Sequence, residues 1–126
     1  MIRDELSSGE VINEFTLEVL DDLMTVRELI RSRVYEEVRL FNFRKPDYFT
    51  GLVQPSDAEV ALNGHKFRAK RTVDWQKQYE RALDAFGENG FIILVDEQQV
   101  DRLDQVIQLR AGTQVSFLKL VPLVGG

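Results

Sequence analysis

The chain has 126 residues, a length that suits one domain with a single hydrophobic core and excludes a multidomain enzyme. Hydrophobic residues make up 44% of it and charged residues 29%, which is the balance of a globular protein and not of a disordered or repetitive chain. Its formal net charge of −5 disfavours binding to phosphate backbones and anionic lipid, so we expect neither nucleic acid nor a membrane among its partners.

The residue types on which many catalytic and metal sites depend are scarce. The chain has no cysteine and one histidine, His65, which we expect to be an ordinary exposed residue. We therefore predict that the protein is not an enzyme and holds no metal and no cofactor. The N-terminal segment is charged, which argues against a signal peptide, and the longest apolar run, FIILV, is too short to span a membrane. We therefore expect a cytoplasmic protein.

A β-hairpin is predicted at the start of the chain. Phe15, Leu17 and Val19 alternate with polar residues, which is the pattern of a half-buried strand. The preceding cluster SSGE predicts a turn back to a first strand over residues 2–6.

A long helix is predicted next. Thr25 and Glu28 have the spacing of a capping box, and Met24 and Leu29 occupy the positions of a hydrophobic staple. Apolar residues recur at helical spacing and predict one buried stripe of Val26, Ile30, Val34, Val38 and Phe41. The charged residues fall elsewhere on the helical wheel, at Arg27, Arg31, Arg33, Glu37 and Arg39.

Residues 42–89 are predicted to open with an irregular loop, because RKPDYFTGLVQPSD holds two of the three prolines. Asn63-Gly64 then predicts a type I′ hairpin turn between apolar positions at Val60 or Leu62 and Phe67. The following segment HKFRAKR is basic, and we interpret it as a solvated strand.

A second helix is predicted after Asp74, which is a good N-cap residue, with its end at Gly87. Its apolar residues fall at helical spacing: Trp75, Tyr79, Ala82 or Leu83, and Phe86. Aromatic residues in this pattern are usually core, and the alternative is a partner-binding surface.

The last third of the chain predicts strands. Phe91–Val95 is a short apolar run typical of a central strand, and Asp96-Glu97 is read as a turn. VDRLDQVIQL predicts a short helical turn, with inward residues at Val100, Leu103 and either Val106 or Ile107. A final strand is predicted over residues 115–120, stopped by Pro122.

Without residues 42–89 the predicted order is strand, strand, helix, strand, short strand or turn, strand. This order and the ending VSFLKLVPLVGG resemble the ubiquitin-like β-grasp family, which includes ubiquitin-like modifiers and the sulfur carriers of molybdopterin and thiamine synthesis. The resemblance implies an α+β, β-grasp fold, with a mixed sheet packed on one main helix. It implies a single domain over residues 1–126, an insertion at about 42–89 that holds a helix and a hairpin, and a C-terminal tail at 121–126.

The resemblance also implies how the tail works. The Gly126 carboxylate would be activated by an adenylating, ubiquitin-activating-like enzyme, and Gly125 would leave its carbonyl unhindered. The residues expected to dock into partners are Val121, Pro122, Leu123 and Val124, with Leu118 or Leu120 beside them.

Three functions remain open at this point. A ubiquitin-like modifier is preferred, because the insertion adds surface that a target reader can use, and a conjugating enzyme and an isopeptidase would be its further partners. The first alternative is a sulfur carrier with a C-terminal thiocarboxylate, which would need a sulfur-accepting synthase. The second is an interaction module that forms no conjugate.

Overall fold

The computed structural model describes residues 2–6, 11–15, 22–46, 48–49, 51–53, 58–61, 64–67 and 72–119. The chain divides into two compact units, one formed by Met1–Glu28 with Phe86–Gly126 and one by Leu29–Ala85. The architecture is mixed α+β, as predicted. That residues 1–126 form a single domain with an insertion at about 42–89 stays a prediction.

The structure describes two helices and ten strands. In chain order they are β1 (Ile2–Leu6), β2 (Val11–Phe15), β3 (Asp22–Thr25), α1 (Val26–Arg44), β4 (Tyr48–Phe49), β5 (Ala58–Ala61), β6 (Gly64–Phe67), α2 (Trp75–Gly87), β7 (Phe91–Val95), β8 (Gln98–Val100), β9 (Val106–Leu109) and β10 (Val115–Lys119).

The first unit contains a five-stranded sheet with the order β2-β1-β10-β7-β8. β1 and β10 pair in parallel, whereas β2 pairs with β1, β7 with β10 and β8 with β7 in antiparallel fashion. The last strand therefore lies at the centre of the sheet, between two hairpins. A separate antiparallel pair of β3 and β9 also belongs to this unit.

The opening hairpin is confirmed, but its second strand is the earlier segment Val11–Phe15. Ile2 pairs with Phe15, and residues 7–10, where the turn is predicted, lie outside the described residues, as do residues 16–21. The alternation over residues 15–19 thus coincides with the described strand only at Phe15.

The second unit contains the three-stranded antiparallel sheet β4-β6-β5. The predicted hairpin is confirmed, but the predicted position of its turn is wrong by one residue. Ala61 pairs with Gly64, so Gly64 is a strand residue and residues 62–63, which lie outside the described part, connect the strands. The predicted irregular loop also contains the short strand β4.

Both helices begin at the predicted caps. The Thr25 hydroxyl oxygen accepts a hydrogen bond from the Glu28 backbone N–H at 3.2 Å, and the hydroxyl donates to the Glu28 carboxylate at 3.2 Å. Asp74 Oδ1 accepts from the N–H of Gln76 at 2.9 Å. These contacts occupy backbone donors that the first helical turn leaves without partners.

Backbone carbonyls complete the start of α1. The N–H groups of Val26 and Arg27 donate to the carbonyl oxygens of Gln105 and Leu103, both at 3.0 Å. The segment that supplies these carbonyls was predicted to be a short helical turn. That prediction is wrong, because the chain forms a strand, a turn and a second strand between Gln98 and Leu109.

Burial largely follows the predicted apolar positions. The whole α1 stripe is buried, namely Val26, Ile30, Val34, Val38 and Phe41. The remaining buried apolar residues in the described part of the chain are Leu29, Phe49, Leu52, Val73, Ala82, Phe86, Phe91, Ile93, Val100, Ile107, Leu109, Val115 and Phe117. Of the alternatives Val106 and Ile107, Ile107 is the inward residue.

Candidate functional site

The predicted tail begins where the central strand β10 ends. Lys119, the last residue of this strand, pairs with Leu6 on one side and with Phe91 on the other. Val115 and Phe117 are buried within the strand. The backbone is therefore held by neighbouring strands on both edges up to Lys119, two residues before the predicted tail.

Leu118 is the one predicted tail-associated residue that the structure describes. It is half-buried and pairs with Glu5 of β1 and Ile92 of β7. The other predicted residues lie outside the described part of the chain: Leu120, Val121, Pro122, Leu123, Val124, Gly125 and Gly126.

A short exposed connection lies at the same end of the sheet as the last residue of β10. Residues 88–90 join α2 to β7, and Asn89 there adopts a φ of 59° while its N–H donates to the Phe86 carbonyl at 3.3 Å. The rings of Phe86 and Phe91 lie 5.8 Å apart, and those of Phe91 and Phe117 lie 6.2 Å apart. This buried row of aromatic rings fixes the connection next to β10.

The opposite end of β10 is held by the turn between β7 and β8. The Asp96 N–H donates to the Gln114 carbonyl at 2.8 Å, and the Gln114 N–H donates to Asp96 Oδ1 at 2.9 Å. Asp96 and Glu97 form the predicted turn with φ values of 48° and 70°, as a type I′ hairpin requires. β10 is thus fixed at both ends.

The second unit holds a buried ion pair that the sequence did not predict. Arg33 is fully buried, because it lies seven residues after Val26 and four after Leu29, on the buried side of α1, where the sequence prediction did not place it. Its Nε donates to Glu37 Oε2 at 3.2 Å, and the Glu37 carboxylate accepts from the Leu52 N–H at 3.2 Å. The pair thereby attaches the chain after β4 to α1, and burial of the charge explains why Arg33 needs a carboxylate partner.

Two of the three aromatic residues of α2, Trp75 and Tyr79, are half-buried, between core and surface. The rings of Trp75 and Tyr35 meet edge to face with centroids 5.4 Å apart, and Tyr79 lies 6.3 Å from Trp75. The Arg31 guanidinium lies 5.1 Å from the centre of the Trp75 ring. The sequence prediction that these positions are core holds for Ala82 and Phe86, and only in part for Trp75 and Tyr79.

The surface of α1 carries one further ion pair. Arg39 Nη2 donates to Glu36 Oε2 at 3.0 Å, and the two side chains are 54% and 40% exposed. This hydrogen bond and the charge of Glu36 raise the pKa of Arg39. The pair differs from that of Arg33 and Glu37 chiefly in burial.

The basic segment HKFRAKR is described only in part. His65 lies in β6, where its backbone pairs with Phe49 and Val60. Residues 68–71 lie outside the described part of the chain. The interpretation of the segment as a solvated strand therefore stays a prediction beyond Phe67.

Searches for a metal site, for a membrane-spanning helix and for similar proteins do not indicate a function. Among the described residues, no three acidic or histidine side chains are grouped as a metal ion would require. Neither described helix is long and apolar enough to cross a membrane. Comparisons with protein-family models, with curated proteins and with solved structures find no match.

Proposed function

We propose that the chain is a ubiquitin-like protein modifier of the β-grasp type, whose Gly126 carboxylate is adenylated by an activating enzyme and transferred to an amine of a target protein. The observation that carries this proposal is the position of β10 at the centre of the five-stranded sheet, parallel to β1. The hairpin β1–β2 lies on one side of β10 and the hairpin β7–β8 on the other, which is the strand order expected of a β-grasp sheet.

The position of β10 supports a role for the residues that follow it. Seven residues separate Lys119 from the end of the given sequence, and in extended form they reach about 23 Å. Because Lys119 is paired on both sides, the folded strand fixes the point in the chain from which these seven residues would extend. Pro122 lacks an N–H, which disfavours a further central strand within the tail.

The proposed chemistry needs only the terminal carboxylate and the partner's groups. An oxygen of the Gly126 carboxylate attacks the α-phosphorus of ATP and pyrophosphate leaves. A neutral target amine then attacks the acyl carbon, AMP leaves, an isopeptide bond forms and one proton is released. Gly125 and Gly126 have no Cβ, so they allow close approach of the partner's groups to this carbonyl.

A sulfur carrier is the alternative that uses the same adenylate. Hydrosulfide would then replace the amine, and its attack would release AMP and leave a thiocarboxylate on Gly126. We favour the modifier because residues 29–85 form a compact unit of their own, which supplies surface beyond what delivery of one sulfur atom needs. The cytoplasm, where ATP is available, is the proposed place of activation.

The proposal is tested by ATP–pyrophosphate exchange in an extract of the cells from which the chain comes. The full chain should stimulate exchange, and a variant lacking Gly125 and Gly126 should not. Circular dichroism and thermal melting of the shortened variant should match those of the full chain, which separates loss of the reacting group from loss of the fold. Equal stimulation by both chains would contradict the proposal.

A further inference from the structure

One side of α1 carries exposed aromatic and basic residues in a regular row. Arg31, Tyr35, Arg39 and Phe43 follow one another at a spacing of four, so neighbouring members lie one turn apart along the helix. Trp75 of α2 contacts the first two of them. We call these five residues the basic-aromatic face, and all belong to the unit Leu29–Ala85.

The exposure of this face is unusual for its composition. Phe43 is 84% exposed and Tyr35 43% exposed. A phenylalanine so exposed contributes little to the stability of the fold, whereas its burial by a partner would favour binding. Large apolar side chains grouped with polar neighbours on a surface are typical of protein-binding sites.

Contacts within the face hold part of it in place before any partner binds. Trp75 lies edge to face with Tyr35, with centroids 5.4 Å apart and planes at 86°. Arg31 lies against the same indole ring at 5.1 Å. Tryptophan, tyrosine and arginine are the residues that dominate binding energy in many interfaces, and pre-ordering lowers the entropy cost of association.

Charge indicates the chemistry of the partner. Residues 29–85 contain eleven basic and eight acidic residues, whereas the rest of the chain contains five basic and thirteen acidic residues. The unit that carries the face is therefore basic within an acidic protein. Such a surface attracts and orients an acidic segment.

We propose that the basic-aromatic face binds an acidic segment of a partner protein that also carries aromatic or leucine side chains. The acidic groups would lie near Arg31 and Arg39, and an apolar side chain would cover Phe43. Arg39 already binds Glu36, so Arg31 is expected to contribute more of the charge recognition. This inference does not depend on the chemistry of Gly126.

The test titrates the full chain with a set of twelve-residue peptides made of Asp and Glu with two Phe or Leu residues. Matched peptides replace every acidic residue by Lys. Trp75 is the only tryptophan, so its fluorescence reports binding at the face, and backbone amide shifts locate the contact. We expect the acidic peptides to bind, with shifts centred on Tyr35, Arg39 and Phe43, and the lysine peptides to bind at least about tenfold more weakly.

Two variants and one control test the residues themselves. Phe43→Ser and Arg31→Glu should each weaken binding by about tenfold, and Phe43→Ser should leave the melting temperature nearly unchanged because the side chain is exposed. Lys77→Glu makes the same charge reversal on α2 outside the face and should change binding less than about twofold.

Several results would overturn the proposal. These are absence of binding by every acidic peptide up to about 1 mM, equal binding of the lysine peptides, and full affinity in Phe43→Ser. Tighter binding of a twelve-nucleotide uridine RNA, lost in the same variants, would assign the face to nucleic acid. A dimer in sedimentation that Phe43→Ser dissociates would assign it to a second copy of the chain.

Discussion

The Nε of Arg33 donates a hydrogen bond to Glu37 Oε2 across one turn of α1, and no part of the Arg33 side chain is exposed to solvent. The same carboxylate accepts the Leu52 N–H, so two charged residues of the helix hold a backbone segment 15 residues further along the chain. This contact is a main polar connection within the unit Leu29–Ala85 and is the basis of the first prediction.

Arg33→Met should lower the free energy of unfolding by about 3 kcal/mol, because it removes one partner of a buried charged pair. Arg39→Met is the matched control, since it removes the same type of side chain from an ion pair of the same helix whose members are about half exposed. Chemical denaturation of both variants measures the difference. Similar midpoints for Arg33→Met and the parent protein would show that the buried pair contributes little.

A second prediction concerns Gly51, which lies next to the segment that Glu37 holds. A Cβ at this position would collide with the Phe49 ring, which is itself buried. Gly51→Ala should therefore destabilise the protein by about 1 to 3 kcal/mol. Gly87→Ala is the control, because a Cβ there meets no atom within 4 Å and alanine favours the helix. A parent-like melting temperature for Gly51→Ala would contradict this packing.

The turn between β7 and β8 yields a stabilising prediction. Glu97 has a φ of 70°, a conformation that costs a non-glycine residue roughly 1 kcal/mol or more. Glu97→Gly should raise the free energy of unfolding by about 0.5 to 1 kcal/mol, since Asp-Gly is a preferred type I′ turn sequence. Glu88→Gly, at a position without positive φ, should give no such gain. Destabilisation by Glu97→Gly would mean that the Glu97 side chain makes a favourable contact.

The helix stripe and the helix caps were predicted correctly because they depend on local sequence patterns. The spacing of Val26, Ile30 and Val34 reflects the helical period, and the caps at Thr25 and Asp74 act within three residues. Such features depend on near neighbours in the chain and can be recognised from a short segment.

Features that depend on distant partners escaped prediction. Burial of Arg33 depends on the chain around Leu52, and the start of α1 depends on carbonyl groups near residue 105. The strand–turn–strand over 98–109 forms because Ile107 and Leu109 pair with β3, which lies about 85 residues earlier. No prediction was made for Phe43, which lies outside the predicted buried stripe of α1 and is 84% exposed.

The central claim is that Gly126 is the reacting residue, and the most direct measurement is the intact mass of the chain recovered from its source cells with an N-terminal affinity tag. The account predicts covalent adducts in which Gly126 is joined to a target lysine, and none from a variant that lacks Gly125 and Gly126. A gain of about 16 Da from replacement of one terminal oxygen by sulfur would instead identify the sulfur carrier. Recovery of only the free carboxylate at Gly126, in cells whose extract supports the exchange reaction with other modifiers, would contradict the account.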